Sequence, residues 1–228
     1  MQSRHDIYEL IHKALRARLS RTLVAIGQLD ADEDDCVREV VEETRTTLAM
    51  MRGHLQAENA FVHAAMEARA AGSTARIAGE HEHHEQDIRA LEDACAALAA
   101  AEPATRAALA RRLYVQFDGF VQENLEHMRY EERHHNAVLW SHYSDEEILG
   151  IERALVASIP PDKMALYLHS MIPAVPTRDR AKVLGGVRAS APPEAFAAIY
   201  AAATALLDGK ARRRLEAAMA GAPLHAAA

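Results

Sequence analysis

Along the first 140 residues, apolar side chains return at alternating steps of three and four, the repeat that places them on one face of an α-helix. Four long stretches carry this pattern. The first is "HDIYELIHKALRARLSRTLVAIGQL", which ends at the acidic loop "DADEDD". The second runs from about residue 36 to 71 and stops at Gly72-Ser73. The third covers about 74–101 and stops at "EPAT", where Pro103 is placed to open the fourth, about 105–137. Connections this short make neighbouring helices antiparallel, so the pattern predicts an all-α, up-down-up-down four-helix bundle over residues 1–142.

Beyond Trp140 the texture changes. "SDEE" has capping-box spacing from Ser144 to Glu147, and Pro160-Pro161, Pro173, Pro176 and Pro192-Pro193 divide the chain into shorter helices. Residues 143–228 read as a helical extension that packs on the bundle or on a partner, including a second copy of the chain.

Following each face inward gives four rows. They are His5, Tyr8, His12, Leu15, Leu19, Thr22, Ile26; Val37, Val40, Thr44, Thr47, Met51, His54, Glu58, Phe61, Ala65; Ile77, His81, His84, Ile88, Leu91, Cys95, Leu98; and Leu113, Phe117, Phe120, Asn124, His127, Glu131, His134, Val138. Every row is apolar towards one end and carries His or Glu towards the other. In "EHEHHEQDI" this turns His81 and His84 inward and leaves His83 to solvent. In antiparallel neighbours, groups at one depth lie equally far from the intervening turn. His12 with His54, His54/Glu58 with His81/His84, and His81/His84 with His127/Glu131 reflect about residues near 33, 69 and 106, on or beside the three turns. All seven side chains can therefore sit at one level.

Charge sharpens the picture. The net charge of −7 is unevenly spread: residues 1–144 alone carry −8 and hold eleven of the thirteen histidines. An acidic, histidine-rich segment argues against nucleic acid and towards a cation. No apolar stretch is long enough to cross a membrane, and the N-terminus lacks a hydrophobic signal core. Cys36 and Cys95 stand apart, without CxxC spacing. A cytoplasmic location is expected.

Five imidazoles and two carboxylates converging inside a bundle are costly unless they neutralise one another or hold cations. Imidazole with carboxylate from opposite helices suits a two-metal centre, and a nitrogen and oxygen shell without thiolate favours iron or manganese over structural zinc. Seven protein ligands cannot fill two octahedral ions that share a bridge, which leaves a position for dioxygen, nitric oxide, peroxide or water.

The order His12, "HLQAE" (His54, Glu58), "EHEHH" (His81, His84) and "HMRYEE" (His127, Glu131) resembles the hemerythrin-like (HHE cation-binding) domain family over roughly residues 5–140. The resemblance implies a four-helix bundle around a non-haem di-iron centre, two iron ions bridged by an oxo or hydroxo group, which binds dioxygen or senses small gases or iron. It makes His12, His54, His81, His84 and His127 terminal ligands, with Glu58 and Glu131 as bridges. Oxygen carriers of the family have third-helix histidines four apart and an aspartate five after the last histidine. Here His81 and His84 are three apart and Glu131 follows His127 by four, a form more similar to bacterial iron-cluster-repair proteins and iron-sensing domains.

The functional expectation is a small-gas or iron binding and sensing protein. A second reading is an enzyme on the same centre, turning over peroxide or nitric oxide or donating iron for cluster repair; no general acid, substrate motif or redox cysteine pair speaks for it. A third is a ferritin-like site built on Glu80/His83 and Glu131/His134, or a module whose docking through the extension is gated by metal. Tyr8 and Asn124 lie a turn from the ligands and could orient them; His134 shares the Glu131 face and reads as packed ahead of a ligand or supporting role, whereas His63, His135, His142 and His169 read as solvated or packed.

Overall fold

A computed structural model describes residues 4–221, and those residues are helical without a strand. In chain order come α1 (Glu9–Gly27), α2 (Asp34–Ala57), a π-helical segment Glu58–His63, α3 (Ala64–Arg69), α4 (Ala75–Ala99) and α5 (Pro103–Tyr130). A second π-helical segment, Glu131–His135, leads to α6 (Asn136–His142), α7 (Asp145–Ser158), α8 (Pro161–Ala174), α9 (Thr177–Ser190), α10 (Pro193–Ala205) and α11 (Gly209–Met219). No described helix is long and apolar enough to cross a membrane.

Two compact units are present: residues 1–9 with 18–159, and residues 10–17 with 160–228. In the first, α2 packs along α4 and α4 along α5. Cross-helix contacts fix their directions. Arg52 of α2 pairs with Glu85 (2.9 Å) and Glu92 (2.6 Å) of α4 while Asn59 meets His81, so α2 and α4 run antiparallel. Glu80 meets His127 and His84 meets Phe120, which makes α4 and α5 antiparallel too. Thr22 bonds Thr47 at 2.8 Å, and Arg18 reaches Thr47 at 2.9 Å and Glu43 at 2.9 Å.

The ends of these helices follow local chemistry. Asp34 and Asp35 occupy the first turn of α2, where the helix dipole favours negative charge, and Pro103 opens α5. Gly72 takes φ +82 in the turn after α3, a conformation that side chains disfavour. Glu67 stitches that turn, accepting from the Gly72 and Thr74 backbone N–H groups at 2.7 and 3.0 Å and from the Thr74 hydroxyl at 2.6 Å. The capping box at Ser144 and Glu147 forms, with both reciprocal bonds present.

The first unit extends to Ile159. The change of texture at 142/143 thus falls inside it, and α7 adds Ile148 to a buried cluster with Ile7, Tyr8, Val62, Met66 and Leu139. In the second unit α8–α11 are short, with Pro161 and Pro193 at helix starts, around a core of Ile172, Leu184, Ala203 and Leu215.

The interior rows hold with two interruptions. Every residue of the third row is buried, and so are the second and fourth rows as far as Glu58 and Glu131. Past those two glutamates the rows shift. Val62, His63 and Met66 are buried where Phe61 and Ala65 were expected, and His135 and Leu139 where His134 and Val138 were expected. Both shifts begin at the π-helical segments, whose extra residue per turn advances the phase of everything beyond.

Candidate metal centre

His54 sits in the last turn of α2 and Glu58 opens the first π-helical segment; His127 and Glu131 stand in the same relation at the end of α5. Four residues apart on a helix, each pair faces one way. His54 Nε2 is 3.1 Å from Glu58 Oε1, and His127 Nε2 is 3.4 Å from Glu131 Oε1. From α4, His81 Nε2 lies 3.5 Å from Glu58 Oε2, 3.9 Å from Glu131 Oε1 and 3.2 Å from His127 Nε2. Donor atoms of Glu58, His81, His127 and Glu131 all fall within 4.8 Å of one another, and the four residues are buried. Metal bonds of about 2.0–2.2 Å place neighbouring donors roughly 3 Å apart, so this spacing suits a cation between them.

The outer nitrogens support the same arrangement. His81 Nδ1 is held by Asn59 Oδ1 at 2.8 Å, and His127 Nδ1 by Glu80 Oε2 at 3.0 Å. Anchoring one ring nitrogen orients the other, which is how protein metal sites fix an imidazole ligand. Glu80 itself is pinned by Arg76 at 2.8 Å. Its carboxylate reaches the site through His127, although Glu80 lies off the inward row of the third helix.

Charge distributes accordingly. Burial, with His127 nearby, pushes His81 down to about 3; burial likewise brings His84 to about 4. These rings are neutral and hold a lone pair ready for a cation. His127 goes the other way. Burial alone would lower it, but Glu131, Glu58 and Glu80 overcome that effect and raise it to about 9. A proton on His127 thus partly balances the buried carboxylates in the metal-free protein, a role that a metal ion's charge can take over.

The remaining expected residues are placed as follows. His12 lies within α1 and is fully buried. His84 is buried as expected, but it joins none of the converging sets; it stands edge-on to His127 and Phe120, with Nδ1 4.0 Å from Asp87. Asn124 is buried and donates to the Phe120 carbonyl at 2.8 Å. His83 and His134 are exposed, His134 stacking on Tyr130, so neither ferritin-like pair presents both its members inward. His142 and His169 are exposed.

Sequence reasoning missed His63 and His135. Both are buried and lie with Glu131 in a further group of donors within 4.8 Å. One signal was available: in each of the two His-x-x-x-Glu helices another histidine follows the glutamate, by five residues at His63 and by four at His135. Tyr8 accompanies them, its hydroxyl 3.1 Å from His135 Nδ1.

A family sequence model, described as the hemerythrin HHE cation-binding domain, matches residues 4–139. The chain belongs to the hemerythrin HHE family. No curated protein and no solved structure matches it. The matched span includes every His and Glu of the converging groups and ends before α7. Buried His/Glu groups able to hold a cation, within an HHE domain, fit a metal-binding protein.

Proposed function

We propose that this HHE protein holds two iron ions inside an up-down-up-down four-helix bundle and uses them to bind or sense dioxygen or nitric oxide. The observation that carries the reading is a buried carboxylate whose two oxygens face histidines of different helices. His54 Nε2 of α2 lies 3.1 Å from Glu58 Oε1 and His81 Nε2 of α4 lies 3.5 Å from Glu58 Oε2, while donor atoms of Glu58, His81, His127 and Glu131 lie within 4.8 Å of one another. Glu58 stands as a bridging carboxylate would, and Glu131 is its counterpart on the other His-x-x-x-Glu helix.

In this reading His12 and His54 serve one ion and His81 and His127 the other. Each ion then has two imidazoles and two carboxylate oxygens, short of the six donors of an octahedral ion, so room remains for a solvent-derived bridge and a small exogenous ligand. A bound iron pair supplies the redox chemistry. The chain's own residues do the rest: Asn59 and Glu80 hold two of the rings in orientation, and hydrocarbon from Ile77, Ile88 and Phe120 lines the interior on α4 and α5 beside them. His84 packs edge-on against His127 and restrains its ring.

Binding is favoured over turnover because no general acid, substrate motif or redox cysteine pair accompanies the converging ligands in the sequence. Iron analysis of dialysed protein tests the reading, with His54→Ala as the variant. Two irons per chain and a bridged ferric absorption band, both lost in the variant while the helical circular dichroism persists, would support it. Undiminished iron in His54→Ala would sink it.

A further inference from the structure

His135 is built like the proposed ligands without belonging to their two sets. Its Nδ1 is held by the Tyr8 hydroxyl at 3.1 Å, as the Nδ1 atoms of His81 and His127 are held by Asn59 and Glu80. Its Nε2 is buried without a hydrogen-bond partner, and the residue is 1% exposed. Opposite stands His63, 6% exposed, whose Nε2 also lacks a partner. The two rings meet edge to face with centroids 5.2 Å apart. Donor atoms from His63, His135 and Glu131 lie within 4.8 Å of one another.

Two unpartnered imidazole nitrogens are costly in an interior, where nearly every buried polar atom is bonded. The π-helical segments bring them there: without the extra residue per turn, His134 would occupy the inward position and His135 would turn away.

We infer that His63 and His135, with a Glu131 oxygen, form a third position for a divalent transition-metal ion, beside the proposed pair. The inference rests on the two-metal reading, because Glu131 is shared. Two neutral imidazoles and one carboxylate suit iron(II), zinc or cobalt(II) over calcium or magnesium, which prefer oxygen. The shared carboxylate and the repulsion between close cations make this the weakest of the three positions. It is suited to an ion in transit to or from the pair, and His63 lies on that path, stacked face to face on His81 with centroids 5.0 Å apart.

The test is a zinc titration of the metal-free full chain, counted by native mass spectrometry, for the unaltered protein and for His63→Gln/His135→Gln. Iron-loaded samples of both are compared by visible absorption. The unaltered chain should take up one more zinc than the double variant, at least about tenfold more weakly than the first two, while both keep the same ferric-pair band. An equal zinc count overturns the third position and leaves the pair standing. Loss of the ferric band in the double variant overturns it as well, since His63 and His135 would then serve the pair itself. An unaltered protein without that band defeats the two-metal reading instead. Tyr8→Phe keeps the ring and removes the hydroxyl, so it guards against a folding defect in the double variant. Several-fold weaker uptake of the third zinc alone is expected, and unchanged uptake counts against the assignment.

Discussion

Within the first unit one interior has two unlike halves. Towards the α4–α5 turn it is mainly hydrocarbon, with Leu48, Ile88, Leu91, Leu98, Leu113 and Phe117 each at most 2% exposed and the buried Thr22, Thr47 and Arg18 bonded to one another. A few turns along the same helices, the same faces carry His54, Glu58, His81, His127 and Glu131, and these are buried almost as deeply. Burial alone therefore does not distinguish the halves. The apolar half gains free energy by leaving water, whatever is bound elsewhere. The polar half incurs desolvation on folding, and only internal pairing, a proton or a cation offsets that cost. The first half should set the stability of the fold, and the second should make part of that stability depend on metal.

The contrast can be broken in stages. Phe117→Ala opens a cavity in the apolar half and should cost about 3–5 kcal/mol in denaturant unfolding, with the iron content per folded chain unchanged. A loss of iron in step with stability would mean that the halves are not separable. Removing the metal should act on the other half only. Ions bound at a thousandfold excess over their dissociation constant stabilise by about 4 kcal/mol, so a chelated sample should melt lower, with its helical circular dichroism retained before the transition. Equal melting of the chelated and loaded protein would contradict a cation-dependent polar half.

Smaller effects are expected where the polar half is closed off. Ser144→Ala removes the cap that starts α7, which delivers Ile148 to the cluster over Tyr8 and Val62. It should cost about 1 kcal/mol, read from the unfolding midpoint. The smallest effect concerns Glu67. Bonds from Thr74 and Gly72 hold its carboxyl down to about 2 from an ordinary 4.5. A depressed carboxyl contributes stability that is present above 4.5 and is lost as pH falls through about 2. Hydrogen exchange at Gly72 and Thr74 should therefore quicken across that acid window, and Glu67→Gln should flatten the change.

Much of this was legible because helical periodicity reports faces directly. The third row, from Ile77 to Leu98, is buried at every position, and the capping box at Ser144 formed where its spacing placed it. Periodicity failed past Glu58 and Glu131 because it presumes a constant 3.6 residues per turn, and the π-helical segments break that assumption. The error exchanged His134 for His135 and hid His63. Side-chain reach explains the other miss: Glu80 lies off the inward face yet reaches His127. Where the first unit ends was also illegible, since prolines mark helix breaks without saying which unit a helix joins. α7 belongs with the residues before it.

The proposed function stands on Glu58 and Glu131 being shared between two metal ions. Metal analysis of the air-exposed, dialysed full chain, taken with its visible spectrum, tests this most directly. Two tightly held irons per chain and the charge-transfer absorption of a bridged ferric pair are the expected result. A colourless protein carrying a single zinc would contradict it.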